Sequence, residues 1–126
     1  MDKRVFYAPG VDPKTAVFSS AVVAGGLVFL SGQAGLVGGK VAGPDIETQT
    51  RQVMSNLGEA LKAAGSSWEK VVKVNCFLTD PPSQVAAWNK VFKEYFDRNP
   101  PARSTVGTNT LIGSDWLVEV DLIAIA

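Results

Sequence analysis

Near its C-terminus the chain runs WLVEVDLIAIA (116–126), and the reading of this stretch decides the fold. A two-residue period sends Leu117, Glu119, Asp121, Ile123 and Ile125 to one face of a strand and Val118, Val120, Leu122 and Ala124 to the other. The second face is wholly aliphatic and must pack against another layer. The first mixes two carboxylates with aliphatics, so helices cover only one side of the sheet to which this strand belongs.

Working outward, VVKVNCFL (71–78) reads as a second, central strand with Val72, Val74, Cys76 and Leu78 on one side. Between the two lie a helix and a strand. Asp80-Pro81-Pro82 opens the helix, whose apolar stripe is Val85, Trp88, Phe92, Tyr95 and Phe96 and which stops before Asn99-Pro100-Pro101. The strand is ARSTVGTN (102–109), connected to the last one through Gly113-Ser114-Asp115. Upstream, Ile46, Val53, Met54, Leu57, Ala60, Leu61 and Ala64 recur at helical spacing, with Asp45 placed to cap the helix and Gly65 to end it. Ser66 and Glu69 have capping-box spacing for a short turn. Further upstream, FSSAVVA (18–24) and LVFLSGQ (27–33) flank Gly25-Gly26 and predict a β-hairpin over 17–33, while 35–43 reads as a glycine-rich turn and 3–7 as a short edge strand. The order ββ(β)–α–β–α–ββ predicts an α+β domain spanning 1–126, a mixed β-sheet with two helices packed on one face. Its other face is either polar or covered by another copy, and an apolar fraction of 46% favours a copy.

Composition removes several chemistries. With no histidine among 126 residues, Ser-His-Asp and Cys-His arrangements cannot be built, and zinc loses its usual nitrogen ligand. The single thiol, Cys76, has no internal disulfide partner and no histidine to activate it, so it reads as core filling and as a weak sign of a reducing compartment. Twelve basic residues balance twelve acidic ones, which argues against nucleic-acid binding driven by net charge. No apolar run reaches the length of a membrane span, and the first residues lack the core of a signal peptide; a soluble cytoplasmic protein is expected.

Two places can carry chemistry. Glu119 and Asp121 form either a solvent-facing strip or a carboxylate held in a partly apolar cleft, where its pKa would rise toward neutrality. Arg103 follows two prolines that fix the backbone. It is placed either to grip a substrate carboxylate through paired hydrogen bonds or to neutralise an acid of the protein itself. Ser31-Gly32-Gln33 allows a ligand close to the backbone, a short and weak signal by itself. Trp68, Trp88 and Trp116 lack an interleaved basic run and read as core or interface.

LVFLSGQ (27–33), VVKVNCFLTD (71–80), AAWNKVFKEYF (86–96), PPARSTVG (100–107) and VEVDLIAIA (118–126) together resemble, in order and spacing, the RidA family, also called YjgF or endoribonuclease L-PSP. The resemblance implies a chorismate-mutase-like fold assembled as a homotrimer, with the sheets forming a central barrel and pockets between subunits. The implied activity is that of a 2-iminobutanoate/2-iminopropanoate deaminase, hydrolysing enamines and imines such as 2-aminoacrylate to 2-keto acids and ammonia, with no cofactor and no metal. Carried onto this sequence, Arg103 is the carboxylate-binding arginine and Glu119 the acid that handles water. Gly32, Asn89 and backbone near Thr105 line the pocket. Two residues depart from the family's common pattern: Phe18 stands where a pocket tyrosine is usual, and Thr105 where cysteine is frequent. The resemblance also brings a second activity, single-stranded RNA cleavage, and the departures keep open a third class, a non-catalytic carboxylate-binding or chaperone-like trimer.

Overall fold

The C-terminal strand sits in the middle of the molecule. In the computed structural model, which describes residues 2–126, the elements are β1 (Lys3–Phe6), β2 (Ala21–Ala24), β3 (Leu27–Ala34), β4 (Leu36–Val37), β5 (Lys40–Val41), α1 (Ile46–Ala63), a 3-10 turn (Trp68–Lys70), β6 (Val71–Leu78), α2 (Pro81–Tyr95), β7 (Ala102–Gly107) and β8 (Val118–Ile125). Six strands form one sheet in the order β1-β2-β3-β8-β6-β7, so β8 joins the N-terminal hairpin to the β6-α2-β7 unit. All neighbours are antiparallel except β6 and β7, whose parallel pairing requires the crossover that α2 provides.

The two-residue alternation of β8 is realised: Val118, Val120, Leu122 and Ala124 are buried beneath the helices, while Glu119, Asp121 and Ile123 are half-buried on the other face. Against the buried row pack Val53, Met54, Leu57 and Leu61 of α1 and Trp88, Val91 and Phe92 of α2. Full burial of each such side chain is worth about 1.5–3 kcal/mol, enough for both helices to be held on one face by this seam. The ends of α1 follow the expected chemistry. Asp45 accepts a hydrogen bond from the Thr48 amide at 3.0 Å, and Gly65, at φ +81°, turns the chain while the Gly65 and Ser66 amides return to the Lys62 and Leu61 carbonyls. On the exposed surface Arg51 pairs with Glu47 and with Glu94, linking α1 to α2.

Several boundaries differ from the sequence reading. β2 begins only at Ala21, leaving Phe18 in an exposed loop, and β7 ends at Gly107. The stretch 35–43 contains a small hairpin, β4 with β5, turned by Gly38 and Gly39 at positive φ. Ser67 rather than Ser66 precedes the short 3-10 turn, and the Ser66 hydroxyl donates instead to the Ile125 carbonyl at 2.6 Å. Val72 does not share the core side with Val74: the register of β6 against β8 shifts between Val71 and Lys73, and this irregularity buries Val71 and turns Val72 outward. No described helix is long and apolar enough to cross a membrane.

The face opposite the helices carries one apolar row. Val5, Val22, Phe29 and Ile123 are aligned across four adjacent strands, with Lys73 at the end of the row. Val5 and Phe29 are each 41% exposed, in contrast to the sealed helical face.

Candidate active site

Arg103 lies on β7 at the edge of the sheet. Its register partner Val74 and Val74's partner Leu122 are both buried beneath the helices, so Arg103 projects toward the helical layer. There Nη1 donates to the Asn89 side-chain oxygen at 2.8 Å, and the guanidinium carbon stands 4.9 Å from the Phe92 ring centre and 5.9 Å from that of Trp88. A guanidinium stacked on aromatic faces with one nitrogen committed is pre-oriented, and, with no other hydrogen bond among the described residues, its remaining N–H groups can hold a planar anion. Thr105, two residues on and facing the same way, accepts from the Trp88 indole N–H at 3.3 Å. This cluster is cationic, with Asn89 and Arg103 exposed and Thr105 half-buried beside them.

Glu119 occupies the opposite face. Its neighbour Asp121 accepts a hydrogen bond from Asn75 at 2.9 Å, whereas among the described residues no side-chain hydrogen bond engages Glu119. The structure thus separates two carboxylates that the strand pattern left equivalent. A β-carbon on Gly32 would overlap Glu119 Oε2, so the glycine is what lets the carboxylate lie down on the β3 backbone. A register shift in β3 between Leu30 and Gln33 places Gly32 there. Partial burial, reinforced by the charge of Asp121, pushes the Glu119 pKa up. Phe77, Thr108, Thr110, Leu111 and Ile112 line the same depression.

The predicted site residues therefore fall into two groups within one chain: Asn89, Arg103 and Thr105 on the helical side, Gly32 and Glu119 on the open side. Phe18, 66% exposed, stands in the loop before β2. Cys76 is buried, and burial pushes its thiol up to about 12, with Asp121 adding to the shift and Arg103 opposing it; it holds no thiolate at neutral pH. Among the described residues no group of three or more Cys, Asp or Glu is placed to hold a metal ion.

Sequence reading missed one residue that builds the site. Gln49, wholly buried on α1, donates to the Gly43 and Asp115 carbonyls at 2.9 and 3.0 Å and accepts from the Leu117 amide at 2.8 Å. It fixes the chain just before β8 and hence the position of Glu119. Its only sequence signal was a polar residue on the buried side of an amphipathic helix.

Fold and site together define an α+β protein carrying a cationic and an anionic cluster on opposite faces of one mixed sheet. The sequence pattern of the endoribonuclease L-PSP family matches residues 11–126, and the chain belongs to that family, also known as YjgF or RidA. It is 45% identical over 109 residues to the Schizosaccharomyces pombe protein mmf2, mitochondrial, covering 85% of this chain and 86% of that one. It is 42% identical over 90 residues to the Arabidopsis thaliana protein named Reactive Intermediate Deaminase A, chloroplastic, covering 70% of this chain and 48% of that one. The crystal structure of a Mycobacterium tuberculosis member of the YjgF/YER057c/UK114 family superimposes with a TM-score of 0.86 at 29% identity, over 99% of this chain and 100% of that one.

Proposed function

We propose that this chain hydrolyses reactive 2-imino acids and their enamine tautomers to 2-keto acids and ammonia, in a site completed between copies of the chain. The observation that carries the reading is the division of the charged groups. Arg103 is pre-oriented with free donors yet cannot reach across its own sheet to Glu119, and the open sheet face exposes an apolar row that another copy would bury. A cyclic homotrimer, in which each interface is heterologous, would bring the Arg103 edge of one subunit to the Glu119 face of the next. The plant relative named for reactive-intermediate deamination supports the same chemistry.

In this reading the neighbouring Arg103 holds the substrate carboxylate through charge-assisted hydrogen bonds. The imine carbon then lies near Glu119. The carboxylate takes a proton from water, the oxygen forms its bond to C2, and the electron pair of the C=N bond moves to nitrogen, which is protonated. The resulting carbinolamine expels ammonia as its hydroxyl proton leaves and C=O forms; Glu119 relays both protons. Because the imine is already electrophilic, orientation and proton transfer suffice. The endoribonuclease reading lacks a comparable observation, since a net charge of zero and the absence of histidine supply neither attraction to RNA nor its usual acid and base.

The test is to generate 2-aminoacrylate from serine with a dehydratase and follow keto-acid release. Wild type should accelerate it and Arg103→Ala should not. Equal rates with both proteins, or none above background, would sink the proposal.

A further inference from the structure

Ile112 is 91% exposed, yet the loop that displays it is tightly built. The Thr108 amide donates to the Leu78 carbonyl at 2.9 Å, the Thr108 and Thr110 hydroxyls donate to the Thr110 and Leu111 carbonyls at 3.2 and 3.1 Å, and the Trp116 amide donates to the Gly113 carbonyl at 3.1 Å. The Trp116 indole packs so closely on Gly113 that no β-carbon fits there, and Gln49 anchors Asp115 and Leu117 behind it. Hydrogen bonds and the packing of Trp116 on Gly113 fix this loop and leave Ile112 uncovered. Its apolar side chains, Leu111 and Ile112, together with Phe77 of the adjacent strand, line the depression that holds Glu119.

A planar imino acid presents three substituents at C2: nitrogen, carboxylate and its own side chain. With the carboxylate directed to a neighbouring Arg103 and C2 set at Glu119, the side chain is the one substituent left to meet an apolar wall. We infer, resting on the deaminase reading above, that Leu111 and Ile112 receive the substrate side chain, and that this protein prefers 2-imino acids with bulky aliphatic or aromatic side chains over 2-iminopropanoate. Selection by one branched side chain against an apolar wall is worth about tenfold in kcat/KM.

The experiment compares the imine released from serine by a dehydratase with those formed from leucine and phenylalanine by an L-amino-acid oxidase, semicarbazide competing for the imine in each case. Wild type should favour the larger imines about tenfold, and Ile112→Ser should lower kcat/KM for them about tenfold more than for the small one. Leu111→Ser should act in the same direction. A wild type without preference would overturn the inference and leave the deaminase reading standing. So would an Ile112→Ser variant that loses both rates equally; a changed elution volume in that variant would assign Ile112 to a subunit contact instead. Hydrolysis of neither imine by wild type would remove the deaminase reading and this inference with it.

Discussion

Arg103 and Glu119, on strands separated only by β6, point to opposite faces of the same sheet: Arg103 shares the side of Val74 and Leu122, and Glu119 alternates away from it. No rotamer change brings them together within one chain, because the sheet itself lies between them.

A site shared between copies predicts complementation. Arg103→Ala and Glu119→Gln should each be inactive alone. In a cyclic trimer every mixed assembly contains one interface with both native residues, so random subunit exchange at equal concentration should restore about a quarter of wild-type activity. Mixing that restores nothing, in samples shown by mass spectrometry to have exchanged, would place the two residues in separate functions.

Gly32→Ala tests the contact beneath the acid. The added methyl meets Glu119 Oε2, the end of a side chain rather than backbone, so the carboxylate should move while the fold remains. Activity should fall by about tenfold or more for a displacement of this kind. The melting temperature should change little, and a variant with full activity would separate the Gly32 contact from catalysis.

The raised pKa of Glu119 has opposite consequences for stability and for rate. Its folded value lies above its unfolded one, so the stability linked to it is fully present below the unfolded pKa and is lost as pH rises through the folded pKa. Glu119→Gln should therefore melt higher than wild type at neutral pH, the difference closing as the medium is acidified below the ordinary glutamate range. Wild-type hydrolysis should meanwhile fall on acidification through the raised pKa, as the base is protonated. Melting curves and rates over the same pH series check both, and a stability difference that widens toward acid would contradict the assignment.

Gln49→Leu keeps the volume of a buried side chain but strands the Gly43 and Asp115 carbonyls and the Leu117 amide. Left without partners, these groups should cost about 2–4 kcal/mol of stability, read from urea unfolding. Amide exchange should quicken around 115–117, ahead of β8, before it does within β8 itself. Exchange that quickens equally in 115–117 and throughout β8 would mean that Gln49 does not hold this loop in particular.

Much of this was legible in local pattern, because alternation and helical spacing report which side of an element is dry. The two faces of β8, the bounds of α1 with Asp45 and Gly65 at its ends, and the aromatic stripe of α2 all follow from residues within a few positions of one another. Arg103 and Glu119 stood out for the same reason, each a charge in a fixed or half-apolar setting. Tertiary structure alone decided the rest. The shift that turns Val72 outward and the one that slides Gly32 under Glu119 arise from pairing with β8, and pairing partners distant in sequence leave no periodic trace. It also distinguished Glu119 from Asp121, since only the register that sets Asn75 against Asp121 occupies one carboxylate and leaves the other free. Above all, a sequence can show that an arginine and a glutamate exist, but the register of β7 on β6 and of β6 on β8 determines on which side of the sheet each must act.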